Sequence, residues 1–143
     1  MKKANKILSI ILAILMVISI ISITANATEP TSGTIGGVTW EFDNATGTLT
    51  FSGEGGIPSF NYSNHGGVEE RPWNSFFYRY TKHIVIGDGI KHIGEYAFAE
   101  GSIIETVTIG KNVEYIGYNA FDYCDNITYV YYSISWLKGN LYL

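Results

Sequence analysis

Apolar residues between positions 84 and 132 recur with a fixed period of 23. Ile84 aligns with Val107, and then with Val130, when the sequence is shifted by 23. The same shift superposes Ile86, Ile109 and Tyr132, the pairs Ile93-Gly94 and Ile116-Gly117, and the pairs Ala97-Phe98 and Ala120-Phe121. A fixed period in the twenties is typical of a solenoid, in which stacked coils share one hydrophobic core. We therefore predict two complete coils and the start of a third over residues 81–132.

Each coil is predicted to begin with a strand and to return to the core after a turn. Val107 and Ile109 alternate with threonines in the second coil, which is the pattern of a half-buried strand. One coil cannot bury its own apolar side, whereas stacked coils bury a continuous one and hydrogen-bond side by side. We expect Phe98 and Phe121 to stack along the convex side, each above the other, and Gly117 to permit a tight bend.

Residues 28–80 are predicted to cover the first coil. The stretch 28–34 is small and polar, so we expect a disordered leader there. A hairpin follows, with the inward residues Val38, Trp40, Phe42, Leu49 and Phe51. Its turn at 43–47 ends in Gly47, which tolerates a positive φ. Because an isolated hairpin is marginally stable in water, it should pack on the coils.

A loop and one short helix are predicted between the hairpin and the coils. Glycine and proline interrupt any periodicity over 53–72, which favours a loop. The aromatic residues that follow have helical spacing: Trp73, Phe76, Phe77 and Tyr80. Pro72 suits the first turn of this helix. The aromatic stripe could line a ligand groove, but its periodicity favours packing onto the first coil.

Residues 1–27 have the features of a secretory signal peptide. They combine a basic start (Lys2, Lys3, Lys6), an apolar run over 7–23 and the cleavage pattern Ala25-Asn26-Ala27. We predict cleavage after Ala27 and a secreted or cell-surface protein. The apolar run is also close to the minimum length of a spanning helix, so an uncleaved anchor is the alternative.

Cleavage would leave a strongly acidic chain. Six basic residues would remain against 13 acidic ones, a net charge of −7. A chain with so few cations has no basic face to neutralise phosphates, so nucleic acid is a poor partner. Attraction of the cleaved chain to an anionic membrane surface is disfavoured for the same reason.

The repeat motif resembles the BspA-type leucine-rich repeat of bacteria. It reads Ile-x-x-Val-x-Ile-Gly-x-x-Val-x-x-Ile-Gly-x-x-Ala-Phe-x-x-Cys over 104–124, and residues 86–98 match it equally well. The hairpin and the Pro72-Trp73 segment also resemble the region that often precedes such repeats in exported proteins. The resemblance implies a right-handed leucine-rich-repeat solenoid of the α/β horseshoe class, dominated by β-structure. It would have about 2.5 repeats with the period of 23, capped by the hairpin and the short aromatic helix.

The repeat fades beyond Tyr132, where Gly139 stands in the place of Ile116. Three or more repeats are the usual minimum for stability. Residues 133–143 are therefore predicted to form a crude C-terminal cap or, alternatively, to be the scar of a truncated longer protein. Their apolar members favour the cap: Ile134, Trp136, Leu137, Leu141 and Leu143. The chain is expected to be a monomer or to associate weakly through this edge.

Strand alternation predicts one binding face. The residues predicted to point outward are His83, Val85, Thr106, Thr108, Tyr129 and Tyr131. Solenoids typically bind partners along such a concave face. Tyr129 and Tyr131 could stack on a sugar ring or anchor a protein loop. The alternative is that these two tyrosines are simply good strand formers near the open end.

No residue pattern indicates catalysis, a metal site or a cofactor. His65, His83 and His92 lack the spacing of metal ligands. Glu69-Glu70 is a carboxylate pair on a glycine-rich loop, where a working separation is seldom held. The turn carboxylates Asp43, Asp88, Asp122 and Asp125 are expected to accept hydrogen bonds from backbone amides. Cys124, the single cysteine, is predicted to be a buried structural thiol.

These features predict an exported, non-enzymatic interaction module with an unknown protein or glycan ligand. The family resemblance implies adhesion to host or matrix proteins or to other cells. A glycan-binding accessory piece is the second hypothesis, and a truncated fragment of a longer surface protein is the third.

Overall fold

The computed structural model describes residues 31–62, 68 and 71–132. The predicted signal segment, the tail 133–143, His65 and Glu69-Glu70 lie outside the described residues. The strands are β1 (Ser32–Ile35), β2 (Val38–Asp43), β3 (Thr48–Gly53), β4 (Gly55–Ile57), β5 (His83–Ile86), β6 (Ile90–Ile93), β7 (Thr106–Ile109), β8 (Tyr115–Ile116) and β9 (Tyr129–Tyr132). The helix α1 spans Asn74–Tyr80.

The larger sheet has six strands in the order β1-β2-β3-β5-β7-β9. Strands β1 to β3 pair antiparallel, and β3, β5, β7 and β9 pair in parallel. Ile84 pairs with Val107, and Val107 with Val130. The sequence period therefore appears as strand register, because each shift by one period moves the chain to the neighbouring strand at the same height.

The smaller sheet has the order β4-β6-β8, also parallel. The loop predicted over 53–72 is wrong at β4, where Ile57 pairs with Ile93 and is fully buried. Glycine and proline disfavour a strand locally, but pairing with β6 satisfies the backbone groups of β4. Strands β3 and β4 therefore act as a coil ahead of the first repeat, although Leu49 and its partner Ile84 are separated by more than one period.

The disordered leader predicted over 28–34 is wrong from Ser32 onward. Strand β1 pairs with β2 in antiparallel register, and Gly33 lies opposite Trp40. A Cβ at Gly33 would come within 2.8 Å of the Trp40 indole, so only glycine leaves room for this ring. Backbone pairing and the indole surface hold a strand whose own side chains are mostly small and polar.

Helix α1 closes the core against the first coil. Trp73, at its N-terminus, is fully buried, with ring centroids 5.0 Å from Phe51 and 6.1 Å from Phe98. Phe76 and Phe77 are also buried. The predicted apolar stripe is wrong at Tyr80, which is 56% exposed, because the helix ends there and Thr81 is extended.

We call the turns at residues 94–100 and 117–123 the corners of the two repeats. Both corners have the same backbone conformation. Left-handed φ values recur at Tyr96 and Asn119, 55° and 54°, and again at Glu100 and Tyr123, 64° and 53°. Such values are uncommon in non-glycine residues. Their recurrence one period apart shows that the repeat extends to individual backbone angles.

Stacking of the two corners explains the central glycine and phenylalanine of the motif. The rings of Phe98 and Phe121 stack with centroids 5.2 Å apart. A Cβ on Gly117 would lie 2.5 Å from the backbone nitrogen of Glu95 in the preceding coil. Gly117 is therefore required by the close contact between coils.

Arg71 completes the backbone hydrogen bonding of the first corner. In the second coil, the carbonyls of Ala120 and Asp122 accept hydrogen bonds from backbone N–H groups of the preceding coil. The equivalent carbonyls of Ala97 and Ala99 accept from Nη1 of Arg71, at 3.1 and 3.0 Å. The guanidinium thus supplies the donors that a preceding corner would have supplied. It is almost fully buried, and its centre lies 4.5 Å from the centroid of the Phe77 ring.

Candidate binding surfaces

All six residues of the predicted binding face lie in two rows on one side of the larger sheet. One row runs through Asp43, Thr48, His83, Thr106 and Tyr129, and the other through Glu41, Thr50, Val85, Thr108 and Tyr131. We call these ten residues the outer face. Their neighbours along each strand alternate with them and, from β2 to β7, are buried. The strand register therefore brings together the predicted residues, which occupy three separate segments of the chain.

The β9 end of the outer face is aromatic and open. Tyr129 and Tyr131 are 62% and 55% exposed, and their rings lie nearly parallel with centroids 6.2 Å apart. Toward the centre, His83 and Thr106 are half-buried, and Nδ1 of His83 lies 2.8 Å from Oγ1 of Thr106. A small polar floor beside a tyrosine pair offers both apolar contact area and hydrogen-bonding groups.

The opposite end of the outer face is acidic, and sequence reasoning missed it. Glu41, Asp43, Thr46, Thr48 and Thr50 line an open recess of about 490 Å³. Hydrogen bonds from the Thr46 hydroxyl and the Ala45 amide lower the pKa of Asp43. The parallel pairing of β3 with β5 joins this end to the repeats. The sequence signal for this end of the face was the alternation of Thr48 and Thr50 with Leu49 and Phe51, which separates outward from inward positions.

A second exposed aromatic group lies at the corners. Tyr96 contacts Tyr62 and Tyr118, with ring centroids 5.8 and 6.0 Å apart. Tyr118 is 66% exposed and Tyr62 is 44% exposed. The shift by one period pairs Tyr96 with Asn119, so the repeat alignment gives no signal for this column.

Asp43, Asp88 and Cys124 have local hydrogen-bond partners. Oδ1 of Asp88 accepts a 3.0 Å hydrogen bond from the Lys111 amide, and Asp43 accepts one from Ala45, as expected of turn carboxylates. Cys124 is half-buried, and its thiol donates to the carbonyl of Phe98 at 3.2 Å. Burial raises the pKa of Cys124 to about 11, so a reactive thiolate is disfavoured.

The histidines of the described chain lie apart from one another. His83 lies on β5 of the larger sheet, whereas His92 lies on β6 of the smaller one. Within residues 31–62, 68 and 71–132, no group of three or more His, Cys, Asp or Glu could hold a metal ion. Over the same residues, no helix is long and apolar enough to cross a membrane.

Superposition on a solved structure shows a shared fold. A leucine-rich repeat protein from Eubacterium ventriosum superposes with a TM-score of 0.58 and 23% identity, over 68% of this chain. The chain spans only 24% of that protein's length. A leucine-rich cell surface protein from Faecalibacterium prausnitzii matches over 69% of this chain and 30% of its own, with 24% identity and a TM-score of 0.36.

Sequence comparison identifies the repeats. Among functionally curated proteins, none matches the chain significantly. A family model described as the BspA type leucine-rich repeat region, in six copies, matches residues 46–139. The match begins just before β3, so it includes the coil ahead of the first repeat. This chain therefore belongs to the BspA-type leucine-rich repeat family.

Proposed function

We propose that this chain is an exported, non-enzymatic module that binds a protein partner on its outer face. The observation that carries this proposal is the register that aligns ten outward side chains in two rows across five strands. The proposal includes the shape of the fold, a right-handed solenoid of the horseshoe class whose concave side is the outer face. Solenoids use such faces as extended binding surfaces.

The composition of the outer face suits recognition of a protein. Tyr129 and Tyr131 supply a large, rigid contact area at low cost in conformational entropy. Exposed tyrosines of this kind are common among the few residues that dominate interface energies. Threonines at the centre and carboxylates at the β2 end provide hydrogen-bonding partners, so orientation can be specified along the whole face.

A paired set of variants tests this role. Tyr129 and Tyr131 are both changed to serine, and binding to a panel of matrix and cell-surface proteins is measured. The matched control changes Tyr80 and Tyr115 to serine, because these side chains are 56% and 57% exposed and lie outside both exposed aromatic groups. We expect at least about a tenfold increase in Kd for the first variant alone. Equal affinities for both variants and the wild type would contradict the proposal.

Glycan binding is the second candidate, favoured by the exposed, nearly parallel rings of Tyr129 and Tyr131. Aromatic faces give apolar area beside a hydroxyl that can hydrogen-bond a sugar. A glycan array run with the same variants separates the two functions. Sugar binding that is lost in the Tyr129/Tyr131 variant, without binding to any protein of the panel, would select the glycan function.

Export to the cell surface or the medium is part of the proposal. It is supported by the basic start, the apolar run and the Ala25-Asn26-Ala27 pattern. Expression in a Gram-positive host, followed by N-terminal sequencing of the released protein, is expected to find Thr28 first. Retention of the intact N-terminus in the membrane fraction would instead indicate the uncleaved anchor.

A further inference from the structure

Charge is distributed unevenly over the outer face. Its ten residues include two carboxylates, Glu41 and Asp43, and neither lysine nor arginine. Both carboxylates are exposed on β2, and neither forms a salt bridge within the part of the chain that the structure describes. The outward positions of β3, β5 and β7 carry threonine, valine and histidine, and those of β9 carry tyrosine. The outer face is therefore negative at its β2 end only.

The side chains of the outer face also differ in size from one end to the other. Val85 and the central threonines are small, and His83 is half-buried. Tyr129 and Tyr131 at the β9 end are large and more than half exposed. At the β2 end the two carboxylates border an open recess of about 490 Å³. The centre is thus a floor of small side chains between a tyrosine pair and a negative recess, which suits a partner segment lying across the strands.

The spacing of the strands determines how long such a segment must be. Four strand-to-strand steps separate β2 from β9 in the order β2-β3-β5-β7-β9. At about 4.8 Å for each step, the distance across the face is about 19 Å. An extended chain advances about 3.3 Å per residue, so about six residues cover this distance. A short extended segment can therefore contact both ends of the outer face at once.

We propose that the partner presents an extended basic segment that crosses the outer face, with a lysine or arginine at the two carboxylates and an apolar side chain on the tyrosine pair. This inference rests on the proposed function and names the chemistry of the partner. A cation at Glu41 and Asp43 forms charge-assisted hydrogen bonds with them. Complementary charge at one end and apolar contact at the other also fix the direction of the bound segment.

Selection from a random dodecapeptide library displayed on phage tests the chemistry of the partner. The full-length product, purified after export, is the bait. We expect the enriched peptides to carry a lysine or arginine and an aromatic or aliphatic residue about six positions apart. A selection that yields no binding peptide, or binding peptides without basic residues, would overturn the proposal.

Two double variants then locate the bound peptide. Glu41→Gln with Asp43→Asn removes both charges of the outer face. The matched control, Glu95→Gln with Glu114→Gln, removes two exposed charges that lie elsewhere. The Kd of a synthetic copy of the enriched peptide is measured by titration calorimetry at low and high salt. We expect Kd to rise roughly tenfold in the first variant at low salt, and much less at high salt or in the control.

Equal Kd values in the two double variants would overturn the proposal. Glu41→Gln alone, which leaves the hydrogen-bonded turn of Asp43 unchanged, is expected to show part of the rise. Circular dichroism verifies that each variant is folded. A rise in Kd of the same size in the control would assign the effect to the net charge of the chain and would also overturn the proposal.

The variant with serine at Tyr129 and Tyr131 distinguishes failure of this inference from failure of the proposed function. We expect this variant to weaken binding of the enriched peptide as well. Protein or peptide binding that depends on the tyrosine pair but not on the carboxylates would overturn only the basic segment. Peptide binding that depends on neither would overturn both. Sugar binding without binding of any basic peptide would overturn the basic segment in favour of a glycan.

Discussion

The N-terminal end of the stacked strands is covered by described residues, whereas the C-terminal end is not. Strands β1 and β2 extend the larger sheet beyond β3, and Trp73 and Phe76 close the core beneath them. At the other end, all four residues of β9 are exposed beside an apolar recess. The difference shows that the end of a stack of coils needs an apolar cover and also hydrogen-bond partners for the backbone groups that a neighbouring coil would otherwise satisfy. Arg71 meets the second requirement at the N-terminal end.

Removing the apolar cover should have the largest effect. Trp73→Ala is expected to lower the free energy of unfolding by about 3–5 kcal/mol, because the fully buried indole packs on Phe51, Phe60 and Phe98. Urea unfolding followed by circular dichroism measures the loss. The control Tyr80→Ala changes an exposed aromatic residue at the end of the same helix. Equal losses in the two variants would refute the capping role of Trp73.

Removing the donors should have the next largest effect. Arg71→Met keeps much of the apolar stem but leaves the buried carbonyls of Ala97 and Ala99 without the guanidinium, at a cost of about 1–3 kcal/mol. The same unfolding measurement applies, with the exposed Arg79→Met as the matched control. We expect Arg71→Lys to recover only part of the loss, because an ammonium lacks the planar fork. Full stability in Arg71→Met would show that the carbonyl contacts are dispensable.

A stabilising change is expected at the start of the first coil. Thr81 is fully buried and its hydroxyl has no hydrogen-bond partner, whereas the shift by 23 places Ile104 and Ile127 at the same position of later coils. Thr81→Val should raise the free energy of unfolding by about 1 kcal/mol, because a buried unsatisfied hydroxyl is removed. The control is Thr106→Val, whose hydroxyl contacts His83. A loss of stability in Thr81→Val would reveal a role for its hydroxyl.

The smallest effect concerns the contacts between coils, and it depends on pH. Hydrogen bonds from the backbone amide and then the side chain of Lys111 lower the pKa of Asp88 below 3.8. Because the folded-state pKa is depressed, the stabilisation is present above pH 3.8 and is lost as the pH falls through the folded value. Asp88→Asn should therefore be less stable than the wild type at pH 7 and equally stable at pH 2.

Unfolding curves of both proteins between pH 7 and pH 2 measure this convergence. The control is Glu114→Gln, whose ion pair with Lys91 spans 4.0 Å between exposed side chains and should contribute less. A stability difference between Asp88→Asn and the wild type that persists at pH 2 would assign the effect to something other than the carboxylate charge.

The period also determines the charged contacts between coils, which sequence reasoning overlooked. The ion pairs Lys82–Glu105, Asp88–Lys111 and Lys91–Glu114 each join residues one period apart. All are exposed, so each contributes little to the stability of the fold. They were predictable from the sequence, because a shift that superposes the apolar residues also places opposite charges side by side.

The sequence by itself determined the repeats, because a period of 23 in Ile84, Val107 and Val130 leaves few other ways to bury one apolar side. It also identified the six central and aromatic residues of the outer face, since strand alternation separates inward from outward positions. These features depend on local periodicity, which is visible in the chain alone.

Only the tertiary structure decided how the first coil is completed. Strand β4 forms despite its glycines, β1 forms within a polar leader, and Arg71 reaches the distant carbonyls of Ala97 and Ala99. The acidic end of the outer face also arises from the pairing of β3 with β5, which are separated by more than one period. Each depends on contacts between segments separated by an irregular insertion, where the period of 23 is broken and local propensity gives the opposite prediction.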